Sequence, residues 1–171
     1  MSTYIVHTDS ISSSKWVQGS QNYYTSYLFR PVQNISQVDI VSLSVDVSQA
    51  TTNVVYLYVD EFVSTYNQLT CLNDRTSDPV TTSKLAGSLA RINVPSGTTR
   101  LLYPNNNEFP LVTEFRTPIR SIDRITTQFF DEDGVRLVTS SNVFVTYRLK
   151  SVQPTIIKKN EDPRRVRRYI S

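Results

Sequence analysis

The first residues to consider for acid–base or nucleophilic chemistry lie near the start of the chain. His7 is the only histidine, and Asp9 and Ser10 follow it closely. A Ser–His–Asp triad requires three convergent side chains, whereas neighbours on a strand point alternately to opposite faces. Ser12 and Lys15 have the SxxK spacing, but that pair needs a helix to bring its two side chains together. We therefore predict an ordinary histidine on a terminal strand, followed by a polar loop.

Two groups of carboxylates invite a metal-site or glycosidase interpretation. The acidic residues 131–133, followed by Gly134, lack the position-six glycine and the later glutamate of a calcium loop, so a turn explains them. Asp60 and Glu61 are adjacent at a strand end, where one side chain is expected to point inward and the other outward. The sequence therefore predicts no catalytic residue, no metal site and no cofactor, and it does not predict an enzyme.

The composition excludes several further classes of protein. One histidine and one cysteine, Cys71, cannot build a zinc site or a disulfide, and neither phosphate-binding glycine motif occurs. No apolar run approaches the roughly 20 residues of a membrane span, and the N-terminus lacks a signal-peptide pattern. An unpaired cysteine fits a reducing, cytosolic environment best.

The net charge of +3 is distributed unevenly along the 171 residues. Residues 158–171 hold six basic and two acidic side chains, whereas residues 1–157 hold 12 basic and 13 acidic ones. We predict one neutral domain over residues 1–157 and a basic C-terminal arm over residues 158–171. The residues expected to contact a partner through this arm are Lys158, Lys159, Arg164, Arg165, Arg167, Arg168, Tyr169 and Ile170.

The elements that must position any site are strands. Residues 41–47 alternate between apolar and polar side chains, which predicts a strand with one buried face. Val38 and Ile40 have the opposite phase, so we expect a bulge near Ile40–Val41. Residues 54–62 form another strand-like run. A strand from Tyr23 to Phe29 is expected to end at Pro31.

The C-terminal half continues this pattern with turns between short apolar segments. Residues 125–129 and 143–149 are predicted to form a hairpin-like pair through the acidic turn, with residues 135–138 as a further candidate for pairing. Only residues 83–92 have apolar side chains at helical spacing, and Gly87 weakens the prediction of a helix there because glycine has a low helix propensity. Eight or nine short strands in one unit predict an all-β fold. The length favours a single eight-stranded jelly-roll sandwich of two antiparallel sheets over an immunoglobulin-like one.

Ten tyrosines and seven phenylalanines are a heavy aromatic load for such a domain. The tyrosines cluster on predicted strands, at Tyr23, Tyr24, Tyr27, Tyr56 and Tyr58. Core packing and cross-strand pairs explain them as well as a sugar-binding or protein-binding surface does. The sequence leaves these alternatives open.

Three motifs occur in a recognisable order. Residues 55–62 read Val-Tyr-Leu-Tyr-Val-Asp-Glu-Phe, residues 118–125 read Pro-Ile-Arg-Ser-Ile-Asp-Arg-Ile, and residues 129–134 read Phe-Phe-Asp-Glu-Asp-Gly. Together with residues 27–31 and 38–41, they resemble the single jelly-roll penton and minor capsid proteins of large icosahedral double-stranded DNA viruses. The resemblance covers about three quarters of the chain, and its motifs are short.

The resemblance implies a jelly roll with extended N- and C-terminal arms, five copies of which close a ring at each fivefold vertex of a capsid. The implied partners are other copies of the chain, the neighbouring major and minor capsid proteins, and an internal scaffold or tape-measure protein. The implied location is the virion, assembled in the host cytoplasm, and no catalytic residue or cofactor is implied.

The basic arm matches no motif of this family, so its role as a bridge to a neighbouring subunit or an inner partner is our own expectation. Protein is the favoured partner, and contact with nucleic acid or a membrane is less favoured. Two alternatives for the whole chain stay open: a minor capsid cement protein, and a carbohydrate-binding jelly-roll module that uses surface tyrosines.

Overall fold

A computed structural model describes residues 1–15, 21–48, 53–63, 87–95, 99–104, 111–138 and 141–152. In these residues the chain is all-β, as predicted, and its strands form an antiparallel, curled sheet. The described part of the predicted helix over residues 83–92 is a turn followed by a strand, so that prediction is wrong there. No helix in the described ranges is long and apolar enough to cross a membrane.

Eight strands and one short 3-10 helix make up the described elements. The strands are β1 (Ser2–Asp9), β2 (Ser14–Lys15), β3 (Tyr23–Asp46), β4 (Val54–Val59), β5 (Ala90–Asn93), β6 (Arg100–Pro104), β7 (Leu111–Asp131) and β8 (Phe144–Ser151). The 3-10 helix (Asp60–Phe62) directly follows β4. The strand order is β1-β8-β3-β7-β4-β5, and β2 and β6 each pair with β3.

The two longest strands, β3 and β7, are interrupted by bulges. Residues 28–31 of β3 lie opposite Asp123 alone, and residues 115–118 of β7 lie opposite Ser36 alone. A third irregularity separates Ile40 from Ser42 along β8. It confirms the bulge predicted from the change of hydrophobic phase, because Val41 is the extra residue.

Pro31 does not end its strand as predicted, because β3 continues to Asp46. Proline cannot donate a ladder hydrogen bond, but a residue inside a bulge has no ladder partner to lose. Pro118 occupies the equivalent place in the bulge of β7. The bulges therefore accept both prolines without ending the strands.

The predicted hairpin between β7 and β8 is wrong. β8, the last described strand, pairs instead with β1 and β3 from the N-terminal part of the chain. After the turn at Gly134, which has a positive φ of 75°, the chain folds back onto β7. Arg136 bridges to Phe130, and the Leu137 amide donates to the Phe129 carbonyl at 3.0 Å. The further pairing considered for residues 135–138 is thus confirmed.

One large apolar cluster forms the core and takes residues from β3, β4, β5, β7 and β8. Tyr147 of β8 is fully buried in this cluster, with its ring 5.9 Å from that of Phe62 and its hydroxyl 3.2 Å from the Thr127 hydroxyl. Tyr24 of β3 is also fully buried and is hydrogen-bonded to the Thr8 hydroxyl of β1 at 3.1 Å. Buried tyrosines therefore have polar partners inside the core.

Candidate functional site

The three residues of the suspected triad bind separate partners. Nδ1 of His7 lies 3.0 Å from the Thr146 hydroxyl on β8. The Asp9 carboxylate accepts from backbone amides of the following turn. The Ser10 hydroxyl accepts from the Val143 amide at 2.9 Å. None of these contacts joins two members of the triad, and His7 lies on the terminal strand β1, as predicted.

The SxxK residues also lie apart from any helix. Ser12 is in the turn after β1, where its hydroxyl donates to the Asp9 carboxylate at 2.8 Å. Lys15 is in β2, opposite Tyr24 of β3. The Ser12 hydroxyl therefore serves the turn, which agrees with the predicted polar loop.

The carboxylates after β4 both face β7, which corrects the expectation of one inward and one outward side chain. Glu61 accepts from the Thr126 amide at 2.7 Å and from its hydroxyl at 2.9 Å. Asp60 accepts from the Gln128 side-chain amide at 2.8 Å. Because the 3-10 helix replaces the strand after Val59, both side chains reach the neighbouring strand. Glu61 thereby extends the hydrogen bonding of β7 to Thr126, one residue beyond the last residue pair of β4, at Val59 and Thr127.

The acidic turn between β7 and β8 is closed by its own first residue. The buried Asp131 carboxylate accepts from the Val135 amide at 2.7 Å, and the Asp131 carbonyl accepts from the Gly134 amide at 3.1 Å. No group of three His, Cys, Asp or Glu residues in the described ranges could hold a metal ion. This geometry is that of the predicted turn.

The clustered tyrosines divide between the two interpretations left open above. Tyr24 and Tyr56 are buried, whereas Tyr27 is 68% exposed. Tyr23 is half-buried, and the Arg136 guanidinium carbon lies 4.3 Å from the centre of its ring. Tyr58 is half-buried as well, with an edge-on aromatic contact. Position on the pleated strand, rather than residue type, thus decides which tyrosines face solvent.

Several exposed apolar side chains lie together at a corner between β1 and the bulge of β3. Phe29, in the bulge, is 96% exposed, and Tyr27 precedes it. The exposed side chains Tyr4 and Ile5 of β1 line the same open groove of about 410 Å³. We call these four residues the β1–β3 corner. Such clusters of exposed aromatic and aliphatic side chains mark interaction surfaces.

A second groove of about 270 Å³ adjoins the corner, since Tyr4 and Pro31 line both. It contains the last described residue, Val152, whose amide donates to the Asn34 carbonyl of β3 at 2.9 Å. Asn34 has a positive φ of 53°, which asparagine tolerates better than most residues. The described chain therefore ends beside the corner.

The electrostatics of the corner suit an uncharged, extended ligand. Its groove is lined by His7 and Arg30 but by no carboxylate. The Arg30 guanidinium packs on the Phe29 ring, 5.7 Å from the ring centre, so part of this charge lies against the aromatic face. A sequence signal existed in the Phe29-Arg30-Pro31 run. Its proline instead predicts the end of a strand, so the sequence does not indicate the corner.

Two predictions from the sequence stay predictions. The residues of the basic arm lie outside the described ranges: Lys158, Lys159, Arg164, Arg165, Arg167, Arg168, Tyr169 and Ile170. For the resemblance to capsid proteins, sequence comparison adds no support. No protein-family model matches the chain, and no curated protein is similar enough to count as a match.

Proposed function

We propose that this chain is a structural capsid protein, and specifically the penton protein whose five copies form a ring at the fivefold vertices of an icosahedral virus capsid. In this proposal residues 1–157 form an eight-stranded jelly roll, and the basic arm reaches an adjacent subunit or an inner capsid protein. Surfaces rather than a catalytic site perform the function.

The proposal is supported by the pairing of the strands, which separates them into two groups. The second half of β3 pairs with β8 on one side and with β6 on the other, and β8 pairs with β1. β3 pairs with β7 from Tyr23 to Ile40, β7 pairs with β4, and β4 pairs with β5. Apart from the two-residue β2, which pairs with the start of β3, we divide the strands into two groups of four, β1-β8-β3-β6 and β3-β7-β4-β5. The groups share β3 and overlap where its residues 37–40 pair with both β7 and β8. Two four-stranded antiparallel sheets of a single chain are what a jelly roll requires.

Side-chain contacts between the two groups support packing of one sheet on the other. Tyr147 of the first group is hydrogen-bonded to Thr127 of the second, and Tyr24 of the second group is hydrogen-bonded to Thr8 of the first. The Tyr147 ring also packs on Phe62, which follows β4. Contacts of this kind are expected where the inner faces of two sheets meet.

A closed ring of identical subunits requires two different, complementary surfaces on each subunit. The β1–β3 corner supports one of them, since its apolar side chains are exposed in the single chain. β1 and β6 are at opposite edges of the first group of strands, and Leu102 of β6 is 66% exposed. The far edge at β6 is therefore the candidate for the second surface.

The mass of the purified chain in solution, measured by light scattering and native mass spectrometry, tests the proposal. We expect a five-subunit species, and we expect Phe29→Ser to shift it toward monomer because the substitution removes apolar contact area. Val135→Ser is the matched control, because Val135 is also an exposed apolar residue but lies in the turn after β7. It should leave the mass unchanged.

Each alternative gives a different result in the same experiments. A monomer at every concentration that is retained on an immobilised oligosaccharide would replace the penton proposal with the carbohydrate-binding module. A monomer that adds only to preassembled particles would indicate the cement protein instead. If Phe29→Ser and Val135→Ser weakened the pentamer equally, the ring would still stand, but the corner would not be part of its interface.

A further inference from the structure

β1 is an edge strand without the usual protection against pairing. It pairs with β8 along its whole length with no register shift, and no other described strand pairs with it. Ser2–Asp9 contains no proline, glycine, lysine or arginine, and its only carboxylate is at its last position. Natural edge strands are commonly blocked by charges, prolines or bulges. The outer edge of β1 is thus suited to accept an added strand.

The chain itself contains a segment suited to that edge. Nineteen residues follow Val152, and the first five, residues 153–157, are uncharged. They end in Ile156 and Ile157, whose β-branched side chains favour a strand. The charged residues begin at Lys158, immediately afterwards. An uncharged segment matches an edge strand that has no charge between Ser2 and Thr8.

The charge of the groove beside β1 also determines where the segment that binds there must end. The groove beside β1 has Arg30 on its lining and no carboxylate that could pair with a lysine. The arm that begins at Lys158 would meet the like charge of the Arg30 guanidinium there. The groove therefore favours residues 153–157 over the basic remainder of the C-terminus.

The position of Val152 favours a segment from another copy. Val152 is held to Asn34 of β3, on the side of β8 away from β1. To reach the outer edge of its own β1, the chain would have to cross two strand spacings, roughly 10 Å. That path would use up about three extended residues and would leave Ile156 near the start of β1. A segment from a neighbour can instead lie antiparallel along the middle of the strand, beside Ile5.

We propose that residues 153–157 of one copy add as an antiparallel strand to the outer edge of β1 in the next copy, with Ile156 in the groove beside Tyr27 and Phe29 and Ile157 on the opposite face of the added strand. Backbone hydrogen bonds from the residues other than Pro154, which has no amide hydrogen, supply affinity, and the groove supplies selectivity for the apolar side chain. The inference rests on the proposed ring, because it requires copies side by side. It identifies the segment that joins them.

Disulfide cross-linking of the full chain tests the exchange. In a Cys71→Ser background, the pair Ile5→Cys and Ile156→Cys is oxidised and run on a non-reducing denaturing gel. We expect a ladder of linked chains that ends at five. The matched control pairs Ile156→Cys with Val135→Cys, which is exposed in the turn after β7, and should give no ladder. A linked product confined to single chains would mean that the segment docks on its own copy, and would overturn the exchange.

A charge substitution separates this inference from the proposed function. Ile156→Lys with Ile157→Lys should weaken the ring at least tenfold, whereas the chain without residues 158–171 should still form a ring of five copies. Asn160→Lys with Ser171→Lys adds the same charge outside the segment and is the control. A ring that tolerates the isoleucine substitutions, with unchanged thermal melting, overturns the exchange and leaves the penton proposal standing. An unmodified chain that never forms a ring overturns both.

Discussion

The two long strands each contain a four-residue bulge with a phenylalanine, and the two phenylalanines have opposite environments. Phe29 of β3 is 96% exposed, whereas Phe115 of β7 is 8% exposed and lies 6.3 Å from the Phe62 ring. Both are followed by an arginine, and both bulges end in proline. A bulge releases its residues from strict alternation, so the local surroundings decide where each side chain points. The bulge of β7 thus contributes to the core, and that of β3 presents a surface.

The largest effect is expected for Phe115→Ala. The substitution removes a buried ring beside Phe62 and leaves a cavity, so it should lower the free energy of unfolding by about 3–4 kcal/mol. Urea denaturation followed by tyrosine fluorescence measures the change. Measured at a concentration at which the chain is monomeric, Phe29→Ala is the control on the other bulge and should stay within about 0.5 kcal/mol. Equal losses at the two positions would contradict the division between core and surface.

A pH titration separates the buried tyrosines from the exposed ones. Burial raises the pKa of Tyr24 to about 12 and holds the pKa of Tyr147 well above its ordinary value of 10.0. Between pH 10 and pH 12 the unfolded chain loses these protons while the folded chain keeps them. Stability is therefore fully present below pH 10 and falls as the pH rises toward 12, by about 2–3 kcal/mol for Tyr24.

Urea midpoints measured across this pH range provide the test. Tyr24→Phe should reduce the fall in stability because it removes one of the buried hydroxyls, whereas Tyr27→Phe should leave the fall unchanged. A fall of the same size in both variants would mean that the burial of Tyr24 does not cause the pH dependence.

At neutral pH, Tyr24 and Tyr27 of β3 are expected to differ less in their contribution to the free energy of unfolding. Tyr24→Phe removes the hydroxyl bonded to Thr8, and should cost about 1 kcal/mol because Thr8 keeps its bond to the Val145 carbonyl. Tyr27→Phe, three residues closer to the bulge, should change the free energy of unfolding by less than half of that value. Thermal melts at pH 7 compare them. A larger cost for Tyr27→Phe would place its hydroxyl in a contact absent from the single chain.

The smallest effects are expected for the prolines that end the bulges. Pro31→Ala and Pro118→Ala should each lower stability by about 0.5 kcal/mol, because alanine increases the freedom of the unfolded chain. Parallel urea titrations of the two variants make the comparison. A clearly larger loss for Pro31→Ala would mean that the bulge of β3 is held by proline rather than by its neighbours.

Features carried by local patterns were predicted well from the sequence. Leu43, Val45 and Val47 are buried as their alternation with polar residues requires. The bulge at Ile40–Val41 follows from a change of phase visible within a few residues. The same is true of the turn at Gly134, which needs a residue that adopts a positive φ.

Features that depend on distant partners could not be read in this way. The pairing of β8 with β1 joins Ser2 to Ser151, and no local pattern encodes that choice. The exposure of Phe29 depends on Asp123, which stands alone opposite four residues of β3. The two carboxylates after β4 face β7 because a 3-10 helix replaces the strand there. The candidate site was missed for this reason, since it is formed where these long-range pairings meet.

The pairing of β1 with β8 also has a consequence for synthesis on the ribosome. β1 is made first, yet its one described partner ends at Ser151, so it must wait for almost the whole described chain to be translated. At typical elongation rates of about 5–20 residues per second, that delay is roughly 7–30 s. During that time a β-prone segment, charged only at its last residue, is available to other nascent chains on the same message. The strand that we propose as the acceptor of a segment from the next copy is therefore also the described strand that waits longest for its own partner.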